Sequence, residues 1–216
     1  MKRSNSRALL LCNGEPPPRR LLRQIADDIG YVVAADGGAN VARRYGIRLR
    51  AIVGDLDSIL PATRRHYAST LQLRIRRQDN TDLEKALDFI LAQGFRHVVI
   101  CGSTGRRVDF TLANVSILWR YSRRVRIELV GDGWRAYPVE SRYRMKAKRG
   151  TTVSIIPFGA CRGVTLRGLK YPLRNATLTV GQVGVSNVVA GDSFSVTIRQ
   201  GRALLLLLDQ QSRKRR

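Results

Sequence analysis

Tyr31-Val32-Val33-Ala34-Ala35-Asp36-Gly37-Gly38 and, a short helical stretch later, Ala51-Ile52-Val53-Gly54-Asp55-Leu56-Asp57-Ser58 carry the reading of the fold. Each is a run of consecutive apolar residues that ends in aspartate and glycine. Runs without polar alternation suit strands covered on both faces, as in a parallel sheet. Residues 39–45 between them read as a helix. An α/β sheet binds its ligands just past the carboxyl ends of its strands, where both aspartate clusters fall.

The same alternation extends through the first 130 residues. Apolar runs at 8–12, 71–75, 97–101 and 125–130 add strands, and 20–29, 61–69, 82–93 and 110–121 add helices. Within 82–93, Leu83, Ala86, Leu87, Ile90 and Leu91 recur at helical spacing, and Gly94 is placed to stop them. Past about Trp134 the helical period disappears and glycines punctuate every few residues. There 151–156, 193–198 and 203–208 are rich in β-formers. The expectation is an N-terminal, mostly parallel α/β domain over 1–138, followed by a C-terminal all-β sandwich over 139–216. The boundary is placed in the polar, basic stretch before Gly150.

The chain has 39 Lys and Arg against 16 Asp and Glu, a formal net charge of +23. Such a charge points toward polyanions. Arginine supplies 33 of the 39 cations, often as pairs spread along the whole chain. No basic arm, zinc module or RNA-binding aromatic signature accompanies them, so the excess reads as solvated surface and nucleic acid is not expected as the partner. The Ser212–Arg216 tail reads as a frayed, solvated end. The longest apolar run, 203–208, is far short of the ~20 residues that span a bilayer. The apolar run at 8–12 is too short for a secretory signal, so a cytoplasmic protein without a membrane partner is expected. Cys12, Cys101 and Cys161 show no metal-ligand spacing, and Cys12 and Cys101 read as buried hydrophobes.

Against this basic background, six of the twelve aspartates gather in four clusters that need a cause. They are Asp36-Gly37-Gly38, Gly54-Asp55-Leu56-Asp57-Ser58, Asp79-Asn80-Thr81-Asp82 and Arg106-Arg107-Val108-Asp109. A divalent cation holding nucleotide phosphates is that cause. Asp55 and Asp57 are two apart, so in an extended stretch both carboxylates lean one way, and paired hard oxygens suit Mg²⁺. Asp82 and Lys85 share a face at a helix start. An Asp-Asn-Thr-Asp opening also reads as an N-cap, and both readings stand. Gly102-Ser103-Thr104-Gly105 is a turn whose backbone N–H groups, like those at Gly37, can approach an anion. Neither GxxxxGK[ST] nor GxGxxG is present.

In combination and order these motifs resemble the thiamine pyrophosphokinase family. The resemblance rests on Ala35-Asp36-Gly37-Gly38-Ala39, Gly54-Asp55-Leu56-Asp57-Ser58, Asp79 to Leu87, and Gly102-x-x-Gly105-x-Arg107-x-Asp109. In the β-rich half, Gly168-Leu169-Lys170-Tyr171-Pro172-Leu173 and Ser186-Asn187 look like the family's signatures. The resemblance implies diphosphate transfer from ATP to the hydroxyl of thiamine, with Mg²⁺, in a homodimer whose active sites are shared between subunits. It implies Asp55, Asp57 and Asp79 as metal ligands, and Asp82 and Arg107 as further catalytic residues. Asp36, Gly37, Ser58, Lys85, Gly102, Thr104, Arg107 and Asp109 are implied for ATP, and Tyr171, Ser186 and Asn187 for thiamine. Tyr171 stands where the family usually has Trp, and Phe110 where it often has His. Two other readings compete: a diphosphokinase for another hydroxymethyl heterocycle such as a pterin, and a basic nucleic-acid-binding protein on the same scaffold.

Overall fold

Leu9, Leu10 and Leu11 are almost fully buried in succession, as a strand with cover on both faces requires. They belong to β1 (Arg7–Leu11) of a computed structural model that describes residues 7–77, 79–182 and 184–209. The chain divides into two units, Met1–Asp132 and Gly133–Arg216. In the first, β1 is followed by α1 (Arg19–Ile29), β2 (Val32–Ala35), α2 (Gly38–Tyr45), β3 (Ala51–Gly54), α3 (Pro61–His66) and β4 (Leu71–Arg74). Then come α4 (Asp82–Ala92), β5 (His97–Cys101), α5 (Val108–Tyr121) and β6 (Arg126–Gly131).

The six strands lie in the order β6-β5-β1-β2-β3-β4, and every neighbouring pair is parallel. Leu10 pairs with Val33 on one side and Ile100 on the other. The chain winds outward from β1 to β4 and then returns to β5 on β1's other side. That reversal leaves a crevice at the carboxyl ends, the position where α/β sheets bind ligands. Helix α4 packs across β1, β2 and β3, so its first turn is carried to that crevice.

The second unit is antiparallel throughout. Its strands are β7 (Trp134–Val139), β8 (Arg142–Lys146), β9 (Thr152–Pro157), β10 (Cys161–Arg167), β11 (Leu173–Leu178), β12 (Gly184–Val188), β13 (Ser193–Thr197) and β14 (Ala203–Leu208). One row runs β12-β9-β14-β7 and the other β11-β10-β13-β8. Tyr137, Val153, Ile155 and Leu205 of the first meet Val164, Leu166, Phe194 and Val196 of the second in one buried cluster. Two sheets sharing one core make a sandwich.

The division falls six residues before the expected 138/139. The cause is β7, which pairs with β14 along its whole length from Trp134↔Leu208 to Val139↔Ala203. The polar stretch read as a boundary is strand β8, with Arg142, Arg144 and Lys146 outward and Tyr143 and Met145 packed against the core. The basic tail from Ser212 lies outside the described residues. Cys12, Cys101 and Cys161 are buried and form no disulfide. Among the described residues no helix is long and apolar enough to cross a membrane.

Candidate active site

Loops beyond β1, β2, β3 and β5 of the first unit, with the start of α4 beyond β4, build the site. Beyond β1, the Gly14 N–H donates to the Gly102 carbonyl at 2.7 Å and the Glu15 N–H to that of Thr104 at 2.8 Å, so the β1 and β5 loops lie backbone to backbone. A Cβ at Gly14 would collide with both carbonyls, and one at Gly38 with the Leu11 carbonyl. Only glycine permits such approach. The result is a cleft of about 390 Å³ whose walls include Asp36, Ser58, Asp82, Ser103, Arg107 and Phe110.

Beside this cleft lies an acidic group of Asp36, Asp55 and Asp57, one carboxylate oxygen from each lying within 4.8 Å of the others. Asp55 and Asp57 do not converge through an extended backbone, as the spacing alone suggested. Leu56 between them is left-handed, with φ of 66°, and Asp36 likewise has φ of 42°. Left-handed conformations are costly for residues with side chains and concentrate at functional sites. The turn is fixed by the Asp57 N–H donating to Asp55 Oδ1 at 3.3 Å and the Ser58 hydroxyl donating to Asp57 Oδ1 at 3.0 Å. Asn40 of α2 clamps the loop from below, donating to the Ser58 carbonyl at 2.8 Å and accepting from the Leu60 N–H at 3.1 Å.

Asp36 is only 5% exposed, and its Oδ1 has no hydrogen-bond partner. Burial pushes its carboxyl above the ordinary aspartate range. Ser58 and the Gly37 N–H pull it back, and the charges of Asp82 and Asp55 push it further up. A buried carboxylate among carboxylates, with an unmade acceptor, is costly without a cation. Opposite ligands of one Mg²⁺ at 2.0–2.1 Å lie about 4 Å apart, so this oxygen-only donor set fits a hard divalent cation.

The start of α4 separates its two aspartates. Thr81 is the N-cap: its hydroxyl accepts from the Glu84 N–H at 3.3 Å while Glu84 Oε2 accepts from the Thr81 N–H at 2.9 Å. Capping therefore explains neither Asp79 nor Asp82. Asp82 lies in the cleft, where a Cβ at Gly54 would meet Asp36 at 2.9 Å and Asp82 Oδ1 at 3.1 Å. Its Oδ1 accepts from buried Lys85 at 2.9 Å. Asp79 stands apart from the acidic group, exposed and held by Arg77 through Nε at 2.9 Å and Nη2 at 2.7 Å. That guanidinium holds its carboxyl below the usual range. Glu84 is buried and also pairs with Arg120, tying the first turn of α4 to the last turn of α5.

Opposite, Gly102 and Gly105 take φ of 72° and 85°, and Arg106 is left-handed at 55°. Arg107 grips Asp109 with Nε and Nη2 and lies 4.4 Å over the Phe110 ring. This pairing lowers the Asp109 carboxyl. The Gly105 N–H donates to Thr111 Oγ1 at 3.1 Å, and Asn114 donates to the Ser103 carbonyl at 2.8 Å, so α5 fixes the turn.

In the second unit, Tyr171 is 58% exposed and Ser186, with φ of 58°, is also exposed. Asn187 is not; it is 6% exposed. Its Nδ2 donates to the Tyr171 carbonyl at 2.7 Å, and its Oδ1 accepts from the N–H groups of Tyr171 at 3.0 Å and Val188 at 2.8 Å. Both lone pairs of that oxygen are used. Asn187 thus fastens the Tyr171 backbone, leaving one N–H for anything else.

Residues 22–130 match the thiamin pyrophosphokinase catalytic domain, and 142–205 match the family's vitamin B1 binding domain. The chain belongs to the thiamine pyrophosphokinase family. The Bacillus subtilis thiamine pyrophosphokinase is 31% identical over 196 residues, covering 84% of this chain and 92% of that one. Thiamine pyrophosphokinase 1 of Oryza sativa subsp. japonica is 29% identical over 199 residues, 76% of this chain and 74% of the relative. The crystal structure of thiamin pyrophosphokinase from Geobacillus thermodenitrificans superposes with a TM-score of 0.83 at 27% identity, covering 95% of this chain and 99% of that one. In this member of the thiamine pyrophosphokinase family, sequence reasoning passed over Asn13, which lines the cleft, and Asn40 and Asn114, which fix its loops. Asn13-Gly14 follow β1 as Asp36-Gly37 follow β2, and that parity was the available signal. Asn40 and Asn114 bond only to backbone carbonyls and N–H groups far along the chain, for which spacing carries no signal.

Proposed function

We propose that this chain transfers the β,γ-diphosphate of ATP to the primary hydroxyl of thiamine, giving thiamine diphosphate and AMP. The observation that carries the reading is the convergence of Asp36, Asp55 and Asp57 beside a glycine-walled cleft. Asp36, Asp55 and Asp57 would hold Mg²⁺. When bound, the cation neutralises phosphate oxygens and favours in-line displacement at phosphorus. Asp79 would join them only if its two-point pair with Arg77 opened.

The chain's own groups supply orientation and charge. Lys85 and Arg107 face phosphate oxygens, Arg107 by exchanging its Asp109 fork for a phosphate one. Backbone N–H groups at Gly37, Gly102 and Thr104 line the path of the anion, and Ser58 holds the loop of Asp57. The thiamine oxygen forms its bond to the β-phosphorus as the bond from that phosphorus to the AMP oxygen breaks. Asp82 takes the alcohol proton, being the cleft carboxylate next to the acidic group. Tyr171 offers a face to the cationic ring and Ser186 a hydrogen bond to its edge. Asn187 acts by positioning Tyr171. The working form is a homodimer with active sites shared between subunits, in the cytoplasm.

The test is AMP release with ATP, Mg²⁺ and thiamine. Turnover with thiamine, lost in folded Asp57→Asn, is expected. AMP release with a pterin alcohol and none with thiamine would overturn the assignment.

A further inference from the structure

The second unit holds sixteen Lys and Arg against three acidic residues. Along the chain these cations look evenly scattered, but the strand register gathers some of them. Arg144 of β8 pairs with Ser195 of β13, which pairs with Arg167 of β10. Arg142 pairs with Thr197, and Lys146 with Ser193. Residues paired across antiparallel strands, and residues two apart along a strand, share a face. Arg142, Arg144, Lys146 and Arg167 therefore project from one side of the β10-β13-β8 row, with Ser193, Ser195 and Thr197 between them. The alternate positions Tyr143, Met145, Phe194, Val196 and Leu166 turn into the core.

All four cations are exposed, and among the described residues none has an ion-pair or side-chain hydrogen-bond partner. A cavity of about 260 Å³ opens among Arg142, Arg144, Arg167, Ser193 and Ser195. No carboxylate lines it. Asp192, next to Ser193, stands at the Lys146 end of the face. Along β8 the cations recur every ~6.8 Å, two residues of antiparallel strand, which is the axial span of two phosphates on one nucleic-acid strand at ~3.4 Å each.

We propose that this face binds the phosphate backbone of a nucleic acid, by charge and without reading bases. The row of cations extends past the cavity, as a polyanion requires and a single small phosphate does not. Hydroxyls separate the cations, where insertion into a bilayer would call for apolar side chains. No aromatic side chain projects from the face to stack on bases, so the binding is insensitive to sequence.

The experiment measures fluorescence anisotropy of a labelled 20-base-pair duplex of arbitrary sequence with the full-length protein between about 50 and 200 mM salt. The log–log slope is ~0.9 per neutralised phosphate, so removing two contacts in Arg144→Gln/Arg167→Gln lowers it by about 2. At the lowest salt the double variant binds at least tenfold more weakly. Arg20→Gln/Arg23→Gln on the exposed side of α1 removes the same charge elsewhere and leaves the slope within about 0.5. Equal losses in both double variants would show a diffuse charge effect and overturn the proposal. So would anionic vesicles binding through Arg144 and Arg167 while the duplex did not, or full displacement of the duplex by millimolar diphosphate at constant ionic strength.

Discussion

Replacing Asn187 by alanine removes three hydrogen bonds at once, those to the Tyr171 carbonyl, the Tyr171 N–H and the Val188 N–H. Each is worth about 1 kcal/mol net, and a group left buried without a partner costs about 1–3 kcal/mol. Asn187 is 6% exposed and Tyr171 58%, so water recovers part of the loss on the Tyr171 side only. The expected destabilisation is about 3 kcal/mol, or about 6–12 °C in Tm for a chain of this length. Under the proposed function the same variant raises the KM for thiamine about tenfold and leaves the KM for ATP unchanged, because Tyr171 loses its backbone anchor. Tyr171→Ala is the comparison: its side chain is mostly in solvent, so KM for thiamine rises while Tm stays within about 2 °C. Thermal melts and paired KM determinations separate the two. An Asn187→Ala protein with wild-type Tm and a raised thiamine KM would refute the positioning role and make Asn187 a direct ligand contact.

Glu84→Ala removes the capping box and the Arg120 pair, costing about 2 kcal/mol and lowering Tm by about 4–8 °C. Glu84→Gln loses about half of that, since an amide oxygen still accepts from Thr81; equal losses would contradict the cap assignment. Wild-type protein gains about 2.7 kcal/mol from Mg²⁺ at a hundred times its Kd. Asp36→Asn, which relieves the buried charge, loses that gain without lowering the metal-free Tm; a wild type indifferent to Mg²⁺ would end the cation reading. The Tyr67 hydroxyl donates to the Ile47 carbonyl at 2.6 Å, and burial pushes it from 10.0 to about 12. The folded chain therefore keeps a proton that the unfolded chain releases, and stability falls as pH rises from about 10 toward 12. Tyr67→Phe flattens that slope in melts taken across the range.

The α/β half was legible because its strands announce themselves locally. Val32-Val33-Ala34-Ala35 and Ala51-Ile52-Val53 are buried on consecutive positions, which only a doubly covered strand needs. Strand β8 was not legible, although its pattern is a clean alternation. A basic residue at every outward position made Arg142-Tyr143-Arg144-Met145-Lys146 read as a charged linker, and only Tyr143 and Met145 marked the inner face. In the site, the proximity of Asp55 and Asp57 followed from spacing, but its means did not. A left-handed Leu56 is set by the loop's own hydrogen bonds and by Asn40, eighteen residues from the carbonyl it holds.

The same distinction separates Asp36 from Asp79 and explains Asn187. Sequence places both aspartates beside turn residues, with nothing local to rank them. Burial ranks them: Asp36 is enclosed by the β1 and β3 loops, whereas Asp79 precedes the Thr81 cap and reaches solvent, where Arg77 meets it. Sequence assigns Asn187 to the thiamine edge only through the family resemblance of Ser186-Asn187. Two of its three partners are backbone groups of Tyr171, sixteen residues upstream, and no spacing rule reports those. What spacing does report is which side chains share a face. Applied to β8, β13 and β10 together, that period of two turns an even scatter of arginine into a concentrated patch, and the charge that seemed featureless along the chain acquires a location.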